Sequence, residues 1–526
     1  MTTKIDSRTL ADRLQKADSE VALLDVREVA AHATGHMFHA GNMPISRIEL
    51  ELRRAVPRLD TPLVLTDGSG ELSEHAADLA SAAGYTNIRI HAGGASAWLN
   101  AGLPLYPEVD IPSKGFGAYA RRYGRPQFIS AKELSTLVGQ PDVVVLDSRP
   151  RAEYQAGNIP GSLSAPAGDL VRCFNDLVPS PDTRVIVNCM SATRGILGGL
   201  SLRAAQVPNR VQVLHHGTHG WLLSGNELET GATRFSHTPS QPALRAASTR
   251  VSRMLSVANI PVIDANTATA WANDKRRTTY LIDVRNREEF EAVRLATWVN
   301  APEGSVVMHP MAYVPTIGAR VLLVDDDGIR AGIAALWLAQ IGLWDVAVVR
   351  HSMVESTLIG GPDAPPKVAL RPELRISVPE LASLQANGSA RIIDVSPSGD
   401  YAAAHIPGAR WCSRAEVCDY MLDATFASDT VLTSTDGVLA AHAAREVGAR
   451  VMALKGGNTA WEQAGHGLTD EYAEFVHPRD DVWLASSERP GDRNTNVQRY
   501  LDWEYTLLET LEKDGKVPYR NLLWNA

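Results

Sequence analysis

In the stretch RVIVNCMSATRGIL, Arg184 to Leu197, a lone cysteine stands between an apolar, β-prone run and an apolar segment of helical character. Arg194 follows Cys189 with four residues between them. A thiol at a strand-to-helix turn is placed for nucleophilic chemistry. The first N–H groups of a helix lack intrahelical partners and the peptide dipoles add partial positive charge there, so an anion above them is stabilised. On that ground Cys189 is expected to ionise below the value near 8.5 of free cysteine. Arg194 adds a fixed cation at the rim. Met190, Ser191, Ala192, Thr193 and Gly195 complete the loop and are the candidate substrate-binding residues.

Other reactive side chains carry weaker signals. His215, His216 and His219 are a close trio, but no cysteine or carboxylate supplies matched metal-ligand spacing, so neither metal nor cofactor is expected. Cys173 could act as a resolving thiol, though packing is the favoured role. Cys412 and Cys418, with five residues between them, read as structural thiols. Four cysteines are too few for a disulfide framework, so reduced thiols are expected. The run Asp325 to Gly328, DDDG, reads as a solvated turn. Asp147 and Arg149 read as a structural ion pair at a strand end.

The elements that hold these residues recur. LLDVREVAAHATGH, VLDSRPRAEYQAGNIPGS, LIDVRNREEFEAVRLA and IIDVSPSGDYAAAHIPGA each run from an apolar strand into Asp25, Asp147, Asp283 or Asp394. The interval is roughly 110 to 135 residues, one small domain each. Each copy continues with a second apolar strand, a polar loop and an Ala/Leu-rich helix. A turn of the form GGASAW, HGTHGW or GGNTAW closes copies one, two and four, where the third has VVRHSMVES. Continuous apolar strands alternating with helical patterns indicate parallel sheets covered on both faces, hence an α/β class.

The domains expected are 1–110, 125–237, 250–361 and 370–475, followed by a helical tail over 476–526. Pro-, Ser- and Gly-rich stretches read as linkers: LYPEVDIPSKGFGAYARRYGRPQ, HTPSQPALRAASTR and GGPDAPPKVALRP. In the tail, Tyr500, Trp503 and Leu507 share one helical face that is expected to dock on a neighbouring domain. A net charge of −9 gives no broad attraction to nucleic acid or an anionic membrane. No run approaches the roughly 20 apolar residues that span a bilayer, and the polar start lacks an apolar leader core, so a cytoplasmic location is expected.

Together, the Asp-x-Arg strand end, GNIPGS or AHIPGA, the cysteine loop and the Gly-Gly-x-x-x-Trp turn resemble the rhodanese, or sulfurtransferase, family. The resemblance covers nearly the whole chain as four tandem domains. It implies that Cys189 accepts a sulfane sulfur from thiosulfate or a persulfide and passes it to a thiol or cyanide, with Arg194 orienting the donor. The expected partners are thus a small-molecule sulfur donor and a thiol acceptor, with a homodimer as the candidate assembly. Overlaying the four loops puts Asp67, Cys189, Asp325 and Ser434 at one position, so three domains are expected to be inert. Phosphatases of this fold carry five residues between cysteine and arginine, so the shorter loop here favours sulfur over a third reading, a phosphatase or arsenate-reductase-like enzyme. The loop departs from the CAGRTR expected of near relatives, having Ser191 for the glycine and Ala192 for the middle arginine, which weakens the case for thiosulfate. A non-catalytic persulfide sensor or scaffold is the competing reading.

Overall fold

The computed structural model describes residues 3–16, 20–350, 358–360, 374–423, 429–448 and 451–524. Among the described residues four main sheets flanked by helices follow one another along the chain, as the repeat predicts, parallel throughout save for one strand added to the first. Their central strands are the quoted apolar runs: Val21–Asp25 beside Leu63–Thr66, Val143–Asp147 beside Arg184–Asn188, Thr279–Asp283 beside Arg320–Asp325, and Ala390–Asp394 beside Asp429–Thr433. Val, Ile and Leu dominate because both faces are covered, leaving no solvent side to call for alternation.

Register fixes the loop positions. Asp25 pairs with Thr66, Asp147 with Asn188, Asp283 with Val324 and Asp394 with Thr433. The next residue in each case is Asp67, Cys189, Asp325 or Ser434, the four that the sequence overlay aligns.

The strand-end aspartates are structural. Arg149 donates from Nε and Nη2 to Asp147, and from Nη2 to the Gly157 carbonyl at 2.6 Å. Arg27 and Arg285 repeat this with Asp25 and Gly35, and with Asp283 and Val293. In the fourth repeat Ser396 stands at the arginine position, and its backbone N–H bonds Asp394 at 2.8 Å.

The linker reading needs correction. Ile111–Gly124, within the first proposed linker, is a 14-residue helix, here α1, and Gln241–Val257 forms another helix across the second. Pro112 and Pro242 fall in the first turns, where a missing N–H costs nothing, so these prolines open helices rather than break them. The third linker, apart from Gly360, lies outside the described residues, as does most of VVRHSMVES beyond Arg350.

Helix α1 is central to the assembly. It packs against α2 (Thr193–Ala204) of the second repeat, helices of the third repeat, and α3 (Arg493–Lys513) of the tail. Close approach depends on Gly117, where a Cβ would stand 2.3 Å from Thr193 Oγ1. Helix α3 buries Tyr500, Glu504, Leu507 and Leu511. The first and third repeats also share a sheet, because Thr316–Ile317 pairs antiparallel with Val21–Ala22.

Candidate active site

Cys189 directly follows the strand Arg184–Asn188 and stands four residues ahead of the first residue of α2. The loop is held from behind by the turn at His216 and Gly217, both at positive φ. Thr218 N–H donates to the Cys189 carbonyl at 2.8 Å and His219 N–H to the Met190 carbonyl at 3.0 Å. A Cβ at Gly217 would lie 2.3 Å from the Cys189 carbonyl oxygen, so only glycine permits this approach. The same two bonds recur from Ala95 and Ser96 to Asp67 and Gly68, and from Asn458 and Thr459 to Ser434 and Thr435. His219 therefore approaches the loop through its backbone.

The histidine trio gathers no metal-ligand set. His215 bonds the Tyr505 hydroxyl at 2.7 Å, burial lowers His216 and His219 to about 4, and no group of three or more ligating side chains occurs among the described residues.

The thiol is 3% exposed and borders a cavity of about 630 Å³, whose wall includes Met190, Ser191, Thr193 and Arg194. Of the other loop residues, Ala192 packs on the adjoining core. Gly195 lies behind the sulfur, where a Cβ would be 3.3 Å from Sγ. Burial pushes the Cys189 thiol up to about 11, and the Glu504 and Asp147 carboxylates add to the rise. The Arg194 guanidinium and the Gly195 N–H pull it down without prevailing. This corrects the expectation of a depressed value. The helix start does stabilise the sulfur anion, but removal from water costs more.

Arg194 is itself engaged. Its Nη1 and Nη2 donate to the two Glu153 oxygens at 2.7 and 2.9 Å, a bidentate pair from the short helix Arg151–Ala156. The third repeat has the matching pair of Arg330 with Glu289 at 2.7 Å. Its loop, however, carries Asp325, which accepts the Gly328 and Arg330 N–H groups at 2.6 and 2.9 Å. Asp67 likewise accepts the Ser69 and Ser73 N–H groups in the first repeat. Both carboxylates occupy helix-start donors of the kind an anionic sulfur would use.

Cys173 is buried away from the cavity, with Sγ 3.6 Å from the His237 carbonyl and its thiol pushed up to about 12 by burial. Cys412 is fully buried and likewise pushed up to about 12 by burial.

The far walls come from outside the second repeat. Helix α1 contributes Lys114, the tail Trp483, Tyr500 and Glu504, and the third repeat Glu303 and His309. Repeat reasoning missed Lys114 and Glu504 because neither lies in a repeated phrase. A signal existed for the second: Tyr500, Glu504, Leu507 and Leu511 share one helical face, so a carboxylate interrupts an apolar stripe.

The rhodanese-like domain family matches residues 7–101, 130–224 and 377–464, and the chain belongs to that family. Over its whole length it is similar to the crystal structure of thiosulfate sulfurtransferase from Pseudomonas aeruginosa, at 36% identity and a TM-score of 0.93, covering 98% of this chain and 99% of that one. An anaerobic ergothioneine biosynthesis enzyme from Chlorobium limicola is 15% identical over 69% of this chain and 100% of its own, with a TM-score of 0.23. A Bacillus halodurans protein is 22% identical over 21% of this chain and 83% of its own, with a TM-score of 0.19. No curated protein sequence matches. Among the described residues no helix is long and apolar enough to cross a membrane.

Proposed function

We propose that the protein is a sulfurtransferase that moves a sulfane sulfur from thiosulfate or a persulfide, through a Cys189 persulfide, to a thiol or cyanide. The observation that carries this is Cys189 bordering a solute-sized cavity at the start of α2, with the Gly195 N–H directed to its sulfur. With thiosulfate, the Cys189 sulfur attacks the outer sulfur and the S–S bond of the donor breaks. The cysteine proton leaves with the departing group, giving Cys189–S–S⁻ and hydrogen sulfite. An acceptor thiolate or cyanide then attacks the terminal sulfur and restores Cys189. Arg194, held by Glu153, fixes positive charge at the loop rim, and Met190, Ser191 and Thr193 form the near wall.

On this reading 125–237 is the catalytic domain, and 1–110, 250–361 and 370–475 are inert because Asp67, Asp325 and Ser434 replace the thiol. The third repeat's Glu303 and His309 give such a domain a use, as a wall of the active cavity. The buried, protonated thiol also lends weight to a second reading, a module that holds a persulfide without passing it on. Incubation with thiosulfate or glutathione persulfide, with Cys189→Ser as control, separates them. Sulfite release and continuing thiocyanate formation with cyanide are expected. One sulfur gained at Cys189 and never released establishes the sensor instead.

A further inference from the structure

Two buried side chains at the Cys189 cavity have unmet hydrogen-bonding capacity of opposite kinds. Lys114, 6% exposed, makes no hydrogen bond through Nζ among the described residues. Its ammonium lies 4.8 Å from the Trp483 ring centre, 5.4 Å from that of Tyr500 and 5.6 Å from that of Trp503. Those faces stabilise a cation while leaving its N–H bonds unused. Of the carboxylates whose charge reaches it, Asp110 is committed to His309 at 2.7 Å and Glu108 to Arg489 and Trp483, while Glu504 favours the ammonium through space without a hydrogen bond to it. Glu504, 4% exposed, accepts from Thr193 Oγ1 at 3.3 Å through Oε1 and is also held by the Ser191 side chain, while its Oε2 has no hydrogen-bond partner within 3.5 Å among the described residues. Buried polar groups are costly to leave unpaired. A donor-only group and an acceptor on one cavity wall suit a ligand with the converse pair.

We propose that Lys114 and Glu504 form a two-point subsite for an amphoteric thiol, with its carboxylate on Lys114 Nζ and its ammonium on Glu504 Oε2. The inference rests on the sulfurtransferase reading and names its acceptor class. A cavity of about 630 Å³ suits a molecule of this kind, far larger than cyanide. In the transfer, R–SH and Cys189–S–S⁻ give R–S–S⁻ and Cys189–SH. The bond from Cys189 Sγ to the terminal sulfur breaks, one to the acceptor sulfur forms, and the acceptor's proton ends on Cys189. Lys114 and Glu504 position the acceptor and exchange no electrons.

The test compares two truncated acceptors, 3-mercaptopropionate, which has only the carboxylate, and cysteamine, which has only the amine. The readout is the ratio of their kcat/KM values within each protein, which cancels any loss of active enzyme. Lys114→Met is expected to lower the ratio of carboxylate to amine roughly tenfold, and Glu504→Gln to raise it roughly tenfold, the worth of one charge-assisted hydrogen bond. The corresponding ratio of Kd values, measured by calorimetry in a Cys189→Ser background, needs no turnover. Failure of sulfur transfer in the parent enzyme therefore overturns the sulfurtransferase reading and leaves the subsite decided by binding. Ratios unchanged in both variants, or moving the same way, overturn the subsite.

Discussion

The ionisation of Cys189 gives the sharpest test of the site's physics. With the thiol at about 11, the thiolate fraction at pH 7 is roughly 10⁻⁴, against roughly 3 × 10⁻² for a free cysteine near 8.5. Alkylation by iodoacetamide, followed at the Cys189 peptide by mass spectrometry, should therefore speed up about tenfold per pH unit from 7 to 10 without levelling off. The slope is independent of how well the reagent reaches a buried sulfur, which scales every rate alike. Arg194 is the strongest influence opposing the rise, so Arg194→Met should push the thiol higher still and slow alkylation several-fold across this window. A plateau below pH 9 in the parent protein would refute the dominance of burial and restore the activated thiolate expected from the helix start alone.

Further outcomes follow from the same geometry. Gly217→Ala places a methyl 2.3 Å from the Cys189 carbonyl at a φ of +55, so sulfite release should fall at least tenfold while circular dichroism stays native. Gly117→Ala drives a methyl to 2.3 Å from Thr193 Oγ1 and should lower the melting temperature by separating α1 from α2. Glu303 is raised by burial to about 8, and Gly168 N–H bonds its Oε2. A carboxyl raised on folding stabilises fully below its unfolded value near 4.5 and loses that contribution as pH climbs through 8. Glu303→Gln should thus be more stable than the parent at pH 9, on the order of a few kcal/mol, with the advantage fading toward pH 5 in denaturant titrations.

Much of this protein is legible in its sequence because parallel strands buried on both faces need continuous apolar residues, and a turn at positive φ needs glycine. Those local demands mark the four repeats, the strand-end aspartates, and the loop position at which only Cys189 is a thiol. Tertiary structure decided the rest. Pro112 reads as a linker residue until α1 is seen to begin there, and Lys114 and Glu504 line one cavity only because α1 and α3 pack together. The state of the thiol was decided at the same level. A helix start is a local feature and favours the anion, whereas desolvation depends on how much of the distant chain covers the sulfur, and at Cys189 that cover outweighs the helix.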